Sequence, residues 1–243
     1  MARGAAAVIV GNELLTGKIQ DENGALLIRR LRACGIPLRS LHVVPDEVDA
    51  IVQAVAQARS VADHVFTSGG IGPTHDDVTV RAVALALGRR IVRSEEMSAL
   101  IRTHWESEPP PATFRLADMP QGAELWKQEG LWFPVLTCDR VYVLPGVPQL
   151  FRIQIETVLA RMEKGQIHLR ALYLRSDESD IAGALDSVAL AMPEVQIGSY
   201  PTFDRALDYR VKITVEHALA APVDDAVARL LVVLPAGALV RME

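Results

Sequence analysis

Apolar runs with no polar interruption alternate with segments of helical period over the first two thirds of the chain. Ala6 to Val10 is an unbroken apolar run ended by Gly11, the pattern of a strand buried on both faces of a parallel sheet. The polar stretch NELLTGKIQ reads as a loop. Asp21 then introduces a helix with Leu27, Leu31 and Cys34 on one face, stopped by Gly35 and Pro37. Leu38 to Val44 reads as a second strand. Pro45-Asp46 opens a helix whose Val48, Ile51, Val55 and Ala58 share a side. Asp63 to Thr67 is a third strand, and Val80, Val83, Ala84 and Leu87 mark the helix after it. Three successive β-α units predict a parallel sheet with right-handed crossovers, hence an α/β domain.

The pattern loosens from Ile91 to Pro120, where Glu95 to Glu106 reads as helix and Pro109, Pro110 and Pro111 as a stiff break. This segment is expected to be an insertion covering the site. Trp132 to Cys138 and Arg140 to Leu144 follow as strands, and the rigid turn Pro145-Gly146-Val147-Pro148 leads into a helix over Gln149 to Met162. Beyond Gly165 the order becomes strand (Leu169 to Leu174), helix (Ile181 to Met192), strand (Val195 to Tyr200), strand (Tyr209 to Val215), helix (Val223 to Leu234) and strand (Ala238 to Arg241). That β-α-β-β-α-β order is the ferredoxin-like split unit. The division expected is therefore 1–165 for the α/β domain and 166–243 for a small α+β domain.

Chemistry concentrates in Val65 to Thr79, VFTSGGIGPTHDDVT, which joins the third strand to its helix. Gly69, Gly70 and Gly72 permit positive φ and let a ligand approach main-chain N–H groups, so the turn can hold an anion. Asp76 and Asp77 follow at the helix start. One of them is accounted for as an N-cap; a second carboxylate beside phosphate-binding N–H groups suits a hard cation bridging carboxylate and phosphate. From this segment alone, a structural turn and a phosphate or metal site both remain open. Glu13, Asp46, Asp76 and Asp77 all lie just after strands one, two and three, and ligands on parallel sheets bind beyond the strands' carboxyl ends. That agreement favours a metal-assisted site. His75 is the one histidine within the constellation.

Composition narrows the classes. The 243 residues carry a net charge of -5 and no Lys/Arg run interleaved with aromatics, which argues against a nucleic-acid partner. Cys34 and Cys138 lack metal-ligand spacing. Ala5 to Val10 is too short for a signal-peptide core, and no apolar run is long enough for a membrane span, so a cytoplasmic location with no membrane partner is expected. Gly11 to Lys18, GNELLTGK, has five residues between its glycines instead of four and Ile19 after the lysine, so it is not a P-loop. His75 stands where a dinucleotide fingerprint needs its third glycine.

GNELLTGKIQDEN, VVPDEV, TSGGIGPTHDDVT and YVLPGVP, in that order, resemble the molybdopterin-binding-like family that includes the molybdopterin adenylyltransferases and competence/damage-inducible protein A. FPVLTCDRVYVLPGVPQLFR, and GSYP followed by DYRVKITVE, are most similar to the molybdopterin-binding-like region of eukaryotic FAD synthases. The resemblance implies a three-layer α/β/α domain with a mostly parallel sheet and a phosphate-bearing ligand, a nucleotide or molybdopterin, at the strand-end rim. It implies a divalent cation (magnesium, manganese or cobalt) on Asp46 and Asp77, a phosphate-cradling turn at Ser68, Gly69 and Gly70, and acidic partners at Glu13 and Asp21. Gly72, Thr74, Asp76 and Gly146 complete the expected ligand-binding set, and Glu13 or His75 the expected base beside Asp46 and Asp77. GLWFPVLTCDR departs from the Asn-Pro-x-Gly and Ala-Pro-Gly-Phe stretches of the competence proteins, which weakens transfer of their substrate. Without an amidohydrolase or adenylyltransferase domain in these 243 residues, neither nicotinamide mononucleotide deamidation nor FAD synthesis is expected. The activity expected is metal-dependent hydrolysis of the pyrophosphate of an FAD- or ADP-ribose-type cofactor, by a homo-oligomer. The alternative is a molybdopterin-binding protein of molybdenum cofactor biosynthesis.

Overall fold

A computed structural model describes residues 4–243, in two compact units that divide between Lys164 and Gly165. In the first unit, β1 (Ala5–Val10), β2 (Leu38–Val44), β3 (His64–Ser68) and β8 (Val141–Leu144) run parallel, and β7 (Leu131–Cys138) and β6 (Glu124–Gln128) add antiparallel strands. The strand order is β2-β1-β3-β8-β7-β6. The sheet is mostly parallel, as the apolar runs predict. The edge strand β6 is an addition the periodicity does not mark, because Glu124, Lys127 and Gln128 leave only Leu125 and Trp126 as apolar positions.

Alternation along β1 assigns the layers. Ala6, Val8 and Val10 pack into one core with Ile51, Val55 and Ala58 of α3 (Val48–Val61) and with Ala82 and Val83 of α4 (Thr79–Ala86). Ala5 and Ala7 pack into the other core with Leu27 and Leu31 of α2 (Glu22–Ala33) and with Phe151, Ile155 and Val158 of α6 (Pro148–Leu159). Every residue of β1 is buried, so each face of the strand is covered by helices and the unit has three layers. The chain leaves β1 toward β2 on one side and returns past it to β3 on the other, which makes the β1/β3 crevice a topological switch point.

Between α4 and β6 lie β4 (Ile91–Arg93), α5 (Glu95–His104), a 3-10 helix over Pro111–Ala117 and β5 (Asp118–Pro120). β4 and β5 pair as a separate two-stranded sheet. Ser94 caps α5, its hydroxyl accepting from the Met97 N–H. The expected helix over Glu95 to Glu106 is present and ends at His104.

The second unit has β9 (His168–Leu174), α7 (Glu178–Ala191), β10 (Gln196–Pro201), β11 (Val211–His217), α8 (Ala220–Val233) and β12 (Leu239–Met242). Its antiparallel order β10-β11-β9-β12 is that of the ferredoxin-like split unit. Leu172 and Leu174 face Ile181, Val188, Val223 and Leu230 in a core of its own.

His64, at the start of β3, sets a pH dependence. Its Nδ1 lies 2.9 Å from the hydroxyl of the buried Tyr142. Burial, reinforced by the Arg140 charge, pushes the imidazole below its ordinary value of 6.5. Between the two values the unfolded chain binds more protons, so stability rises with pH there. It is fully present above the unfolded value and is lost as pH falls through the folded one. We expect the melting temperature to drop from pH 7 toward pH 5, and His64→Gln to flatten that slope; equal slopes in calorimetric melts would exclude His64 as the source.

Candidate functional site

Four parallel strands end on one rim, and the loops that leave them are held by hydrogen bonds across the strand ends. Gly11 N–H donates to Val44 O (3.1 Å) and Gly69 N–H to Leu144 O (3.1 Å). The glycine loop is pressed into this rim. Gly69 has φ +102°, and a side chain there would run into the carbonyl oxygen of Val10 at the end of β1. Gly70 has φ +64°, and a Cβ would stand 2.5 Å from Thr79 Oγ1. Gly70 O accepts from Thr79 N–H (3.0 Å), which joins the loop to the first residue of α4. A Cβ on Gly146 would lie 3.3 Å from Gly69 Cα, so the PGVP turn packs directly on the loop.

Asn23, in the first turn of α2, connects three of these segments. Its Nδ2 donates to Ser68 Oγ (2.9 Å) and to Gly146 O (2.8 Å), and Ser68 Oγ donates to Pro145 O (3.1 Å). Gly146 O can only accept, which fixes the amide orientation. The proton of the Ser68 hydroxyl is occupied by Pro145, so the side chain of this buried residue holds the turn together. Asn23 was not singled out from the sequence. The available signal was a polar residue at i, i+4 and i+8 with Leu27 and Leu31, on the apolar face of α2. Asn23 Oδ1 and Thr79 Oγ1 are buried without hydrogen-bond partners, as are Thr67 Oγ1, Gln128 Oε1 and Gln154 Oε1, each at a cost of about 1–3 kcal/mol.

The acids differ in surroundings. Asp46 Oδ2 accepts from Asn12 N–H (2.8 Å), which ties the end of β2 to α1 (Asn12–Leu15). Its Oδ1 is 3.5 Å from the position a Gly70 Cβ would take. Asp77 Oδ2 accepts from both the N–H (2.9 Å) and the hydroxyl of Thr74. A Cβ on Gly72 would lie 2.5 Å from the same oxygen. The expectation that Asp76 or Asp77 caps the following helix is not met: α4 has Val78 at its N-cap and no side-chain cap, because Asp77 closes a turn on Thr74 instead. Asp76 and His75 stand exposed, with Nδ1 to Oδ1 3.8 Å. Asp21 does cap its helix, Oδ1 accepting from Gly24 N–H (2.8 Å). Glu13 is exposed in α1, the short helix within the expected loop, and its Oε1 would meet a Cβ on Gly11 at 2.7 Å.

Asp46 and Asp77 thus lie against glycines two residues apart in one loop. Among the described residues no group of three or more His, Cys, Asp or Glu side chains converges as a closed metal cage. Two hard carboxylate oxygens beside free loop N–H groups fit a cation such as magnesium, which takes one or two carboxylates and completes its shell with water and phosphate oxygens. The same donors do not suit a structural zinc.

The other side of the loop opens into a chamber of about 590 Å3, lined by Gly72, Thr74, His75 and Asp77. Segment 91–120 contributes Ile91, Met97, Arg115, Leu116, Asp118 and Met119, so it covers this side of the loop. Arg115 Nη1 donates to Pro73 O (3.1 Å) and holds the loop to that cover. Both cysteines are free and buried, and no helix among the described residues is long and apolar enough to cross a membrane.

Comparison with known proteins places this architecture. The family described as a probable molybdopterin binding domain matches residues 6–164, and the FAD synthase middle domain matches residues 166–243. A protein of Archaeoglobus fulgidus is 34% identical over 195 residues, covering 80% of this chain and 84% of its own length. A probable FAD synthase of Caenorhabditis briggsae is 31% identical over 240 residues, covering 87% of this chain and 46% of that protein, so the chain spans about half the length of such relatives. The crystal structure of CinA from Thermoplasma acidophilum, whose function is described as unknown, superposes with a TM-score of 0.60 at 31% identity, over 65% of this chain and 96% of that one. The chain belongs to the molybdopterin-binding-domain family, with a C-terminal unit of the FAD synthase middle-domain type.

Proposed function

We propose that the protein is a metal-dependent hydrolase of the pyrophosphate bond of a nucleotide cofactor, of the FAD or ADP-ribose type. The observation that carries this reading is the pairing of Asp46 and Asp77 with the glycine loop, each with one oxygen fixed by a backbone N–H and another left over. Asp46 and Asp77 would hold a divalent cation, which when bound polarises phosphoryl oxygens and lowers the pKa of water. The N–H groups of the loop from Gly70 to Gly72 would receive charge developing on the phosphoryl oxygens. Water adds to one phosphorus, the bridging oxygen leaves with the other, and AMP and a second phosphomonoester result, with release of two protons when both products are dianions. Glu13 and His75 are the candidate bases; both are exposed and free to approach a bound ligand.

A second reading is favoured by the family's own description: the same rim holds molybdopterin in cofactor assembly, without hydrolysis. Incubation with FAD, ADP-ribose, NAD and molybdopterin, each with magnesium, manganese or cobalt, separates the two by product mass. AMP released only in the presence of metal supports the hydrolase; tight molybdopterin retention with no product supports the binding protein.

Asp77→Asn keeps an oxygen that can accept from Thr74, so the turn should persist while the charge is lost. Metal-dependent turnover is expected to fall about 100-fold, the scale of removing one electrostatic stabiliser, with the melting temperature nearly unchanged. Unchanged turnover would remove Asp77 from the site, and early melting with normal turnover per folded molecule would make it structural.

Gly70→Val places a β-branched residue at φ +64° against Thr79, a strain of about 1–3 kcal/mol, and fills space beside Asp46. Calorimetric affinity for the nucleotide should weaken at least tenfold while circular dichroism is retained. Parental affinity in this variant would reduce the loop to a plain turn.

A further inference from the structure

The segment that covers the glycine loop is attached to the rest of the first unit at two adjacent points. Gly88 follows α4 with φ +63°, and Gly122 stands two residues before β6 with φ +84°. A Cβ on Gly88 would meet nothing within 4 Å, and one on Gly122 only the end of the Arg89 side chain at 3.9 Å. Backbone conformation, not space, therefore calls for glycine at both positions. Between them the chain is tied to itself. Gln121 N–H donates to Arg90 O (2.8 Å), β4 pairs with β5, Arg93 bridges to Asp118, and Ser94 N–H donates to Ala117 O (2.8 Å). Neither of these strands joins the large sheet.

The segment has a packed side and an open side. Met97, Ile101, Ala117 and Met119 are buried in the core that also holds Ala82 and Val83 of α4. Toward the glycine loop lies the chamber of about 590 Å3, which Arg115 bridges by donating to Pro73 O (3.1 Å). Other contacts are peripheral: Glu96 pairs with Lys127 of β6 (2.8 Å), both more than half exposed, and His104 stacks on Trp132 of β7. An exposed ion pair of that kind holds little. Arg81, Arg115, Asp77 and Asp118 line the chamber together with Thr74 and His75, so two cations face two carboxylates and net charge selects no occupant. Asp118 is held by Arg93 and Asp77 by Thr74. Arg115 differs in its partner, a neutral carbonyl of the loop. A phosphate oxygen on the same loop is a charged acceptor, and the bond it accepts is roughly twice as strong.

We propose that residues 89–121 form a lid that closes on the glycine loop as one body, pivoting at Gly88 and Gly122, and that Arg115 triggers closure by exchanging Pro73 O for a phosphate oxygen on the loop. This rests on a phosphate held by the loop, which both readings of the function share, and not on hydrolysis. Closure shrinks the chamber and takes water from that side of the loop, while the buried residues of the packed side slide against α4 without leaving the core. Arg115 is then a positioning residue, which ties the state of the lid to that of the loop.

The test uses the full chain with Thr103→Cys on α5 and Gln53→Cys on α3, both exposed positions, spin-labelled and titrated with inorganic pyrophosphate and magnesium. Cys34 and Cys138 are buried, so the label goes to the introduced thiols. Calorimetry establishes saturation. At saturation the mean distance between labels is expected to shift in the parent, to keep its ligand-free value in Arg115→Gln, and to recover part of the shift in Arg115→Lys, which retains the cation. Arg115→Gln should still bind pyrophosphate, weaker by up to about tenfold through loss of one charged bond. If the labelled pair does not melt cooperatively, tryptophan emission of the unlabelled chain makes the same comparison, because Trp105 of the lid meets Trp132 of β7 edge-on, centroids 5.6 Å apart. An unshifted signal in the saturated parent, or a parental shift in Arg115→Gln, would overturn the lid. So would loss of all pyrophosphate binding in folded Arg115→Gln, which would put the guanidinium in the phosphate site itself. No pyrophosphate binding by the parent would instead take the phosphate from the loop, and both functional readings would fall together with the trigger.

Discussion

The close approach of β1 and β3 at their carboxyl ends constrains the rest of the first unit. The loop leaving β3 must turn so near the carbonyl of Val10 that a side chain at position 69 has no room, and the next residue must also take a left-handed conformation. Two consecutive glycines are the inexpensive solution, since a non-glycine residue there is strained by both φ and contact. The small residues Ala5, Ala6 and Ala7 let helices cover β1 on both faces, and the bulk required is supplied by α2, α3 and α6. Core packing and loop conformation are thus parts of one requirement: two parallel strands buried side by side, with glycines at their ends.

Around that loop the side chains fall into two kinds. Asn23, Ser68 and Asp21 hold backbone: Asn23 and Ser68, both buried, join α2, the glycine loop and the PGVP turn, and Asp21 caps α2. Asp46 and Asp77 also accept from backbone, yet each keeps an oxygen toward the loop. The first kind makes the loop rigid before any ligand arrives, and the second gives it charge. Preorganised donors beside fixed carboxylates are what a phosphate with its cation requires, because little reorganisation is then left for the binding step.

The cover over the loop is built differently. β4, α5, the 3-10 helix and β5 add no strand to the large sheet, and β4 and β5 pair with each other. Their apolar residues join the α3/α4 core only in part, and the space left between them and β7 is the chamber. The second unit has a separate core and a complete four-stranded antiparallel sheet, so its fold does not depend on the acids and glycines of the first.

The sequence by itself determined the sheet, the helices that cover it and the rim on which glycines and acids meet. Those features are local: a continuous apolar run, a 3.6-residue stripe and a glycine after a strand are each written in neighbouring residues. What the tertiary structure decided involves partners far apart in the chain. Asp46 meets Asn12, Asn23 meets Ser68 and Gly146, and Arg115 meets Pro73, all pairs whose spacing carries no periodic signal. The sequence predicts one of Asp76 and Asp77 at the helix N-cap because Asp is favoured there; the bond of Asp77 to Thr74 depends on the particular turn that three glycines and Pro73 make possible. β4 and β6 escaped because they are short, exposed or interrupted by polar residues, so that strand pairing rather than burial defines them. The chamber is the furthest from legibility, since a cavity is what packing leaves unfilled, and no residue type encodes an empty space.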